Sequence, residues 1–152
     1  MPEDSLITEE LKQLVGQNSE TLTFSVDKQW VRRFAEAIDY PEPVWQEEYS
    51  QNANYDGVVV PPTFLCALRN DNLRKKLHDM PHPLRTMVNG SSELVFNKPV
   101  RVGDEISVTD TLVNVTVQER KKGKMLVLTN QVSYTNQHGE VVALGHNTAL
   151  RF

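Results

Sequence analysis

The chain contains a single cysteine, Cys66, among its 152 residues. One thiol cannot form an internal disulfide, and it cannot supply a metal site built from several cysteines. Histidine is also scarce, and no pair of the four histidines has the spacing of metal ligands: His78, His82, His138 and His146. We therefore predict no metal site, and we expect Cys66, on a helix in the middle of the chain, to be an inert buried thiol.

Positive charge and long hydrophobic runs are scarce as well. The 16 basic residues are outnumbered by 20 acidic ones, and the net charge of -4 argues against a dedicated binder of nucleic acid or anionic membranes. The basic run over residues 120–124 lies between two strand-like segments and is expected to form a solvated hairpin turn. No apolar run approaches the roughly 18 residues that span a bilayer, and no secretory signal is visible. We expect one cytoplasmic domain, 1–152, without a membrane segment.

The first third of the chain predicts two helices with a strand between them. Thr8 is a typical N-cap for a short helix, and the alternation of apolar residues over 21–26 predicts a strand. Asp27 is placed to cap a second helix, whose buried face has helical spacing: Val31, Phe34, Ala35 and Ile38. This helix must end near Tyr40, because Pro41 restricts its own backbone and that of the residue before it.

The remaining chain predicts a long helix followed by antiparallel strands. Pro61 and Pro62 suit the start of a helix, and an apolar side continues it over residues 64–78. Strands follow from Asn89 onward. The apolar residues change parity near Leu112, which predicts a bulge and a strongly curved sheet. The fold class is therefore α+β, with a curved antiparallel sheet wrapped around a long central helix.

Two segments of the sequence resemble motifs of the MaoC-like dehydratase family. That family has the motif Asp-x-Asn-Pro-(Leu/Ile)-His-x-Asp, followed later by a glycine and the start of a central helix. The matching positions here are Pro43, Val44, Glu47 and Gly57, and a second resemblance covers residues 95–100 with Gly103 and Asp104. The resemblance runs over nearly the whole chain and is closest to the N-terminal-type domain of the family. It implies a hot-dog fold.

The same alignment places aromatic residues where the family has its catalytic pair. Tyr40 falls on the catalytic aspartate and Trp45 on the catalytic histidine. A phenol titrates near about 10 and an indole is only a donor, so neither is suited to proton transfer near neutral pH. The resemblance therefore implies no catalytic residue in this chain. The substrate-binding residues that it implies are Tyr40, Trp45, Pro62, Thr63 and Phe64, with the Thr63 N–H facing the thioester carbonyl. Ordinary packing of Tyr40 and Trp45 in a core or an interface is an equal alternative.

Several functions remain open after this comparison. The first is a subunit of an (R)-type enoyl-thioester hydratase or 3-hydroxyacyl-thioester dehydratase that binds an acyl-CoA or acyl carrier protein thioester. It needs no cofactor, and it forms a homodimer or pairs with a hot-dog subunit that carries the Asp/His dyad. The second is a self-sufficient hydratase that uses Asp39, Glu47 or His82. The third is a thioesterase with Asp71 as its carboxylate, and the fourth is an acyl-CoA-binding or structural module without activity.

Overall fold

Helices come first along this chain and long strands follow. The computed structural model describes residues 6–40 and 58–152. The elements are α1 (Glu9–Leu14), β1 (Leu22–Ser25), α2 (Lys28–Ala37), a 3₁₀ helix (Pro62–Ala67), α3 (Asn72–Asp79), β2 (Met87–Phe96), β3 (Glu105–Arg120), β4 (Gly123–Thr135) and β5 (Val141–Arg151). The strands form one antiparallel sheet in the order β1-β3-β4-β5-β2. The predicted α+β hot-dog class is confirmed.

The caps that the sequence predicts for the first two helices are present. The side chain of Thr8 accepts a hydrogen bond from the Leu11 N–H at 3.3 Å. A carboxylate oxygen of Asp27 accepts from the N–H groups of Gln29 and Trp30 at 2.9 and 3.0 Å. Each cap satisfies donors that the first helical turn leaves without partners, which fixes where the helix begins.

The central helical segment differs from the sequence prediction. The apolar pattern predicts one helix over 64–78, whereas the structure has the 3₁₀ helix and α3 with residues 68–71 between them. The Asn70 side chain explains the interruption. Its amide donates to the carbonyl oxygens of Glu20 and Val108, both at 2.7 Å, and its oxygen accepts from the Asn72 N–H at 3.2 Å. These bonds compete with the helical hydrogen bonds and tie the segment to the sheet.

The predicted bulge in β3 is confirmed. The pairing of β3 with β4 shifts register between Leu112 and Asn114. Leu112 is fully buried, whereas the next residue, Val113, is 43% exposed. Beyond the shift, Val115 and Val117 turn toward the same core as Leu112. The extra residue therefore returns Val115 and Val117 to the inner face after the shift, and bulges of this kind bend a sheet.

The helices pack on the inner face of this sheet through two apolar clusters. One surrounds Phe64 and Leu65 of the 3₁₀ helix and includes Ile106 and Val108 of β3. The other joins α1 and α3 to the far half of the sheet around Leu112. In the part of the chain that the structure describes, no helix is both long and apolar enough to cross a lipid bilayer.

Candidate functional site

The start of the 3₁₀ helix is held by an aromatic cluster. Phe64 is fully buried, with its ring centroid 5.2 Å from that of Trp30 and 5.5 Å from that of Phe34, both in edge-to-face arrangements. Thr63, next to it, is exposed. Because prolines have no N–H, Pro61 and Pro62 leave Thr63 with the first N–H of this helix. Phe64 therefore packs in the core, and the roles of Pro62, Thr63 and Phe64 in substrate binding stay predictions.

Tyr40 lies at the end of the segment that follows α2. Its N–H donates to the Ala35 carbonyl at 3.1 Å, and its side chain is 45% exposed. The helix α2 ends at Ala37, three residues before Tyr40, close to the end that the sequence predicts. Trp45 and the motif residues from Pro43 to Gly57 lie outside the described residues. Whether Tyr40 and Trp45 line an acyl tunnel or pack in an interface stays a prediction.

A cavity of about 530 Å³ lies between the two central helices and the inner face of the sheet. Its volume falls in the range of small-molecule sites. The helical wall is formed by Cys66, Leu68, Leu73 and Leu77, with Arg69, Asp71 and Arg74 also on that side. The sheet wall carries Met87, Leu94, Val132, Tyr134 and Ala149. The apolar residues on both walls suit a hydrocarbon chain.

Polar side chains of the sheet also line this cavity. The sequence analysis did not identify these residues. They are Asn89, Ser92, Asp110, Asn130 and Asn147. Asp110 is the most buried of them, at 6% exposure, and accepts a hydrogen bond from the Asn130 amide at 2.6 Å. The signal was available in β3, because Asp110 shares the parity of Ile106 and Val108 and thus faces inward.

Burial raises the pKa of the Asp110 carboxyl above its ordinary value of 3.8, and the hydrogen bond from Asn130 opposes that shift. Between 3.8 and the raised pKa, the folded chain binds more protons at this site than the unfolded chain does. The free energy of unfolding therefore falls as pH rises through this window, and the loss remains at higher pH.

The Asp110→Asn variant tests this dependence. Asparagine keeps an oxygen for the Asn130 amide but does not ionise. The unmodified chain loses stability over this range and the variant does not. The free energy of unfolding of the variant minus that of the unmodified chain should therefore increase as pH rises from 3.8 toward neutrality. Urea unfolding at several pH values measures it. Two stability curves that stay parallel across this range would contradict the burial of a charged Asp110.

Two other groups in the cavity wall are held protonated. Burial raises the pKa of Tyr134 to about 12, with smaller contributions from the charges of Cys66 and Asp110. The cavity wall partly shields the Cys66 thiol from water, and this partial desolvation raises its pKa, although a backbone hydrogen bond lowers it in part. A nucleophilic cysteine requires the opposite shift. The expectation that Cys66 is a buried residue is wrong, because the tight 3₁₀ turn directs Phe64 and Leu65 inward and leaves Cys66 exposed.

Asp39 and His82, the two described candidates for a rearranged acid–base site, lie in different parts of the fold. Asp39 is exposed, with a positive φ of 50° at the end of α2. His82 is an ordered loop residue, as expected. Its Nδ1 accepts from the Leu84 N–H at 3.0 Å, so Nε2 carries the proton and donates to the Leu6 carbonyl at 2.8 Å. His82 follows α3, at the opposite end of the helical segment from Thr63. Glu47 lies outside the described residues.

Asp71, the thioesterase candidate, is an ion-paired carboxylate in the cavity wall. It lies 2.8 Å from an Arg69 nitrogen and 3.8 Å from an Arg74 nitrogen, with 55% of its side chain exposed. Among the described residues, no group of three or more His, Cys, Asp or Glu side chains is arranged to hold a metal ion.

Comparison with known proteins gives consistent results. One family model, described as "FAS1-like, dehydratase domain region", matches residues 13–144 of this chain. A UPF0336 protein from Parafrankia sp. (strain EAN1pec) is 31% identical over 125 residues, which cover 80% of each chain. A chain of the C-terminally truncated HadBC complex, a 3R-hydroxyacyl-ACP dehydratase from Mycobacterium tuberculosis, superposes with a TM-score of 0.73 at 24% identity, covering 90% of this chain and 96% of that one.

A MaoC-like dehydratase from Rhodospirillum rubrum superposes with a TM-score of 0.71 at 25% identity, covering 93% of this chain and 95% of that one. The matched family region spans most of the sheet and all of the central helical segment. The chain belongs to the MaoC-like hot-dog dehydratase family, through the FAS1-like dehydratase region that residues 13–144 match.

Proposed function

We propose that this chain is the acyl-binding subunit of an (R)-type enoyl-thioester hydratase or 3-hydroxyacyl-thioester dehydratase, and that it supplies no catalytic dyad. The observation that carries the proposal is the cavity of about 530 Å³ under the central helices of a dehydratase fold. The apolar residues that both of its walls contain suit an acyl chain. The Thr63 N–H, at the start of the same helical segment, is offered to the thioester carbonyl, where negative charge develops during the reaction.

The residues around the cavity support binding without hydration chemistry. Adding water to an enoyl thioester requires groups that exchange protons near neutral pH. The described cavity wall contains no histidine. Its carboxylates are Asp110, which is hydrogen-bonded to Asn130, and Asp71, which is ion-paired with Arg69. Tyr40 and Trp45 stand at the sequence positions of the dyad, so the acid and base come from a second subunit.

The edge of the sheet supports such a pairing. β2 is a ten-residue strand at one end of the strand order, whereas β1 at the other end has four residues. Val88, Val95 and Phe96 of β2 are 40–45% exposed in the described chain. A long edge strand with exposed apolar residues is a site of pairing with another chain. The similar HadBC structure is a complex. We infer a heterodimer with a dyad-bearing hot-dog subunit, with a homodimer as the alternative, in the cytoplasm.

Reconstitution tests this proposal. The chain is mixed with a MaoC-like subunit from the same genome that carries both Asp and His in the motif, and hydration of crotonyl-CoA is followed. We expect activity in the mixture and its loss when the partner's histidine is replaced by alanine. The assignment of the acid–base groups to the partner would be refuted by a different result. In that result, the activity is unchanged after the replacement and depends on this chain alone.

A thioesterase is the second candidate, because Asp71 lines the cavity. Release of free thiol from an acyl-CoA separates the two reactions, since hydration leaves the thioester intact. Thiol release that disappears in an Asp71→Asn variant would favour hydrolysis. The ion pair of Asp71 with Arg69 at 2.8 Å leads us to expect no release.

A further inference from the structure

Tyr134 of β4 carries a hydroxyl group that has no hydrogen-bond partner in the described chain. The residue is 7% exposed and packs in the apolar cluster around Phe64 and Leu65. Its hydroxyl makes no hydrogen bond to any residue among 6–40 and 58–152. Leaving a buried hydroxyl without a hydrogen bond is unfavourable, and native structures nearly always provide a partner. This hydroxyl is therefore available to a ligand.

The Tyr134 hydroxyl opens into the cavity beneath the central helices. Tyr134 lines that cavity on its sheet wall. Among the described residues, the Arg101 Nε is the only side-chain nitrogen or oxygen that is both fully enclosed and without a partner. The Tyr134 oxygen also has no partner, so it must keep contact with solvent, and the open space that Tyr134 borders is the cavity. A ligand that fills the cavity meets this oxygen.

Tyr134 marks one end of the cavity. On the helical wall the lining begins at Cys66, and the electrostatic effect of Cys66 on the pKa of Tyr134 shows that the two side chains lie near each other. The lining extends to Met87 of β2 in the other direction. Met87 pairs with Arg151, which pairs with Leu126, eight residues before Tyr134 along β4. Tyr134 and Cys66 therefore lie together at the end opposite Met87.

This end of the cavity is also the end nearest Thr63. Thr63 and Cys66 are three residues apart in the 3₁₀ helix, and both are exposed. A 3₁₀ helix has three residues per turn, so the two lie on the same side, about 6 Å apart along the axis. Under the proposed function, the Thr63 N–H holds the thioester carbonyl. The acyl chain then enters the cavity past Cys66, with Tyr134 beside its first carbons.

We propose that Tyr134 donates a hydrogen bond to the C3 oxygen of a 3-hydroxyacyl thioester, so that this chain binds the hydroxyacyl form in preference to the enoyl form. This inference rests on the proposed function as an acyl-binding subunit. The two forms differ by that oxygen, and an ordinary acyl chain has no other oxygen beyond the thioester. The phenol stays a donor at neutral pH, since burial raises the pKa of Tyr134 to about 12. A neutral acceptor suits the site better than an anion, because the charge of Asp110 also acts on Tyr134.

Equilibrium binding of matched CoA thioesters to the full chain, measured by calorimetry, tests the inference. The probes have the same chain length: dodecanoyl-CoA, trans-2-dodecenoyl-CoA, (R)-3-hydroxydodecanoyl-CoA and 3-oxododecanoyl-CoA. We expect the hydroxy thioester to bind about fivefold more tightly than the first two, which is the gain from one net hydrogen bond. The 3-oxo thioester should share this gain, because its C3 oxygen can accept a hydrogen bond but cannot donate one.

The variant Tyr134→Phe ties the preference to the hydroxyl, since it removes only the oxygen. It should bind all four thioesters with the affinity that the unmodified chain has for dodecanoyl-CoA. Because the hydroxyl has no partner in the free chain, the variant should unfold at the same temperature as the unmodified chain or at a higher one. Ser133→Ala is the matched control, because Ser133 alternates to the other face of β4 and does not line the cavity. It should keep the fivefold preference.

The outcomes separate this inference from the proposed function. Equal binding of all four thioesters by the unmodified chain would overturn the inference and leave acyl binding intact. A preference that survives in Tyr134→Phe, or a gain that the 3-oxo thioester does not share, would overturn the assignment of the donor to Tyr134. A lower unfolding temperature of Tyr134→Phe would show that the hydroxyl already has a partner, and would overturn the inference as well. Binding of none of the thioesters would overturn the proposed function and the inference with it.

Discussion

Replacing Phe64 by alanine is expected to lower the free energy of unfolding by about 3–5 kcal/mol. Phe64 is fully buried and its ring meets those of Trp30 and Phe34 edge to face. Truncation removes both aromatic contacts and leaves a cavity directly under the start of the 3₁₀ helix. Because this helix has only six residues, its position depends on packing rather than on its own hydrogen bonds. Urea unfolding measures the loss.

Phe64→Leu is the matched control for this experiment. Leucine keeps most of the apolar volume, so the loss should be smaller, about 1.5 kcal/mol or less. The difference between the two variants isolates the effect of the empty space from that of the aromatic ring. A loss below about 1 kcal/mol for Phe64→Ala would show that the aromatic cluster does not anchor the helix start.

Replacing Arg151 by methionine is expected to cost about 2–4 kcal/mol, since several charged hydrogen bonds are lost together. Arg151 is 3% exposed. Its guanidinium donates to the carbonyl oxygens of Leu84 at 2.7 Å, Leu77 at 2.8 Å and Met80 at 3.2 Å. These carbonyls belong to the end of α3 and the loop after it, where helix geometry leaves acceptors without partners. One side chain from β5 thus fixes this end of the helical segment to the sheet.

Arg151→Lys separates charge from geometry. An ammonium group keeps the positive charge but cannot reach three carbonyls with a planar fork of donors. We expect the lysine variant to lose some stability, but less than the methionine variant. Burial lowers the pKa of the Arg151 guanidinium, so part of the gain from these bonds is offset by desolvation. Stability of Arg151→Met equal to that of the unmodified chain would show that this offset is complete.

The elements that the sequence predicted correctly are governed by local rules. The N-caps at Thr8 and Asp27 are short-range hydrogen bonds, so residue type and spacing are sufficient to identify them. The bulge at Leu112 was visible because a strand with one buried face must keep its apolar parity. The hot-dog fold followed from the resemblance over nearly the whole chain.

The features that the sequence did not reveal depend on contacts between distant segments. Asn70 interrupts the central helix through bonds to Glu20 and Val108, residues that lie 50 and 38 positions away. The apolar pattern on either side of Asn70 is the same with or without that interruption. Cys66 was placed on a continuous helix for the same reason, and its exposure was therefore not expected.

The cavity and the polar side chains that line it were also beyond the sequence analysis. Asn130 and Asn147 become neighbours only when β4 and β5 pair in one register. Each of these residues alone is an ordinary polar residue in a half-buried strand. Tyr40 and Trp45, by contrast, were identified from their positions in a motif, and their roles remain a prediction of the alignment.

The most direct test of the account measures binding and turnover by the purified chain in one sample. Crotonyl-CoA is added to the chain without any other protein, calorimetry records binding, and the absorbance of the conjugated enoyl thioester records hydration. The account predicts saturable binding, with the enoyl absorbance falling no faster than in buffer. Sustained hydration by the lone chain would contradict it, because acid and base groups of this polypeptide would then carry out the proton transfer that the account assigns to a partner.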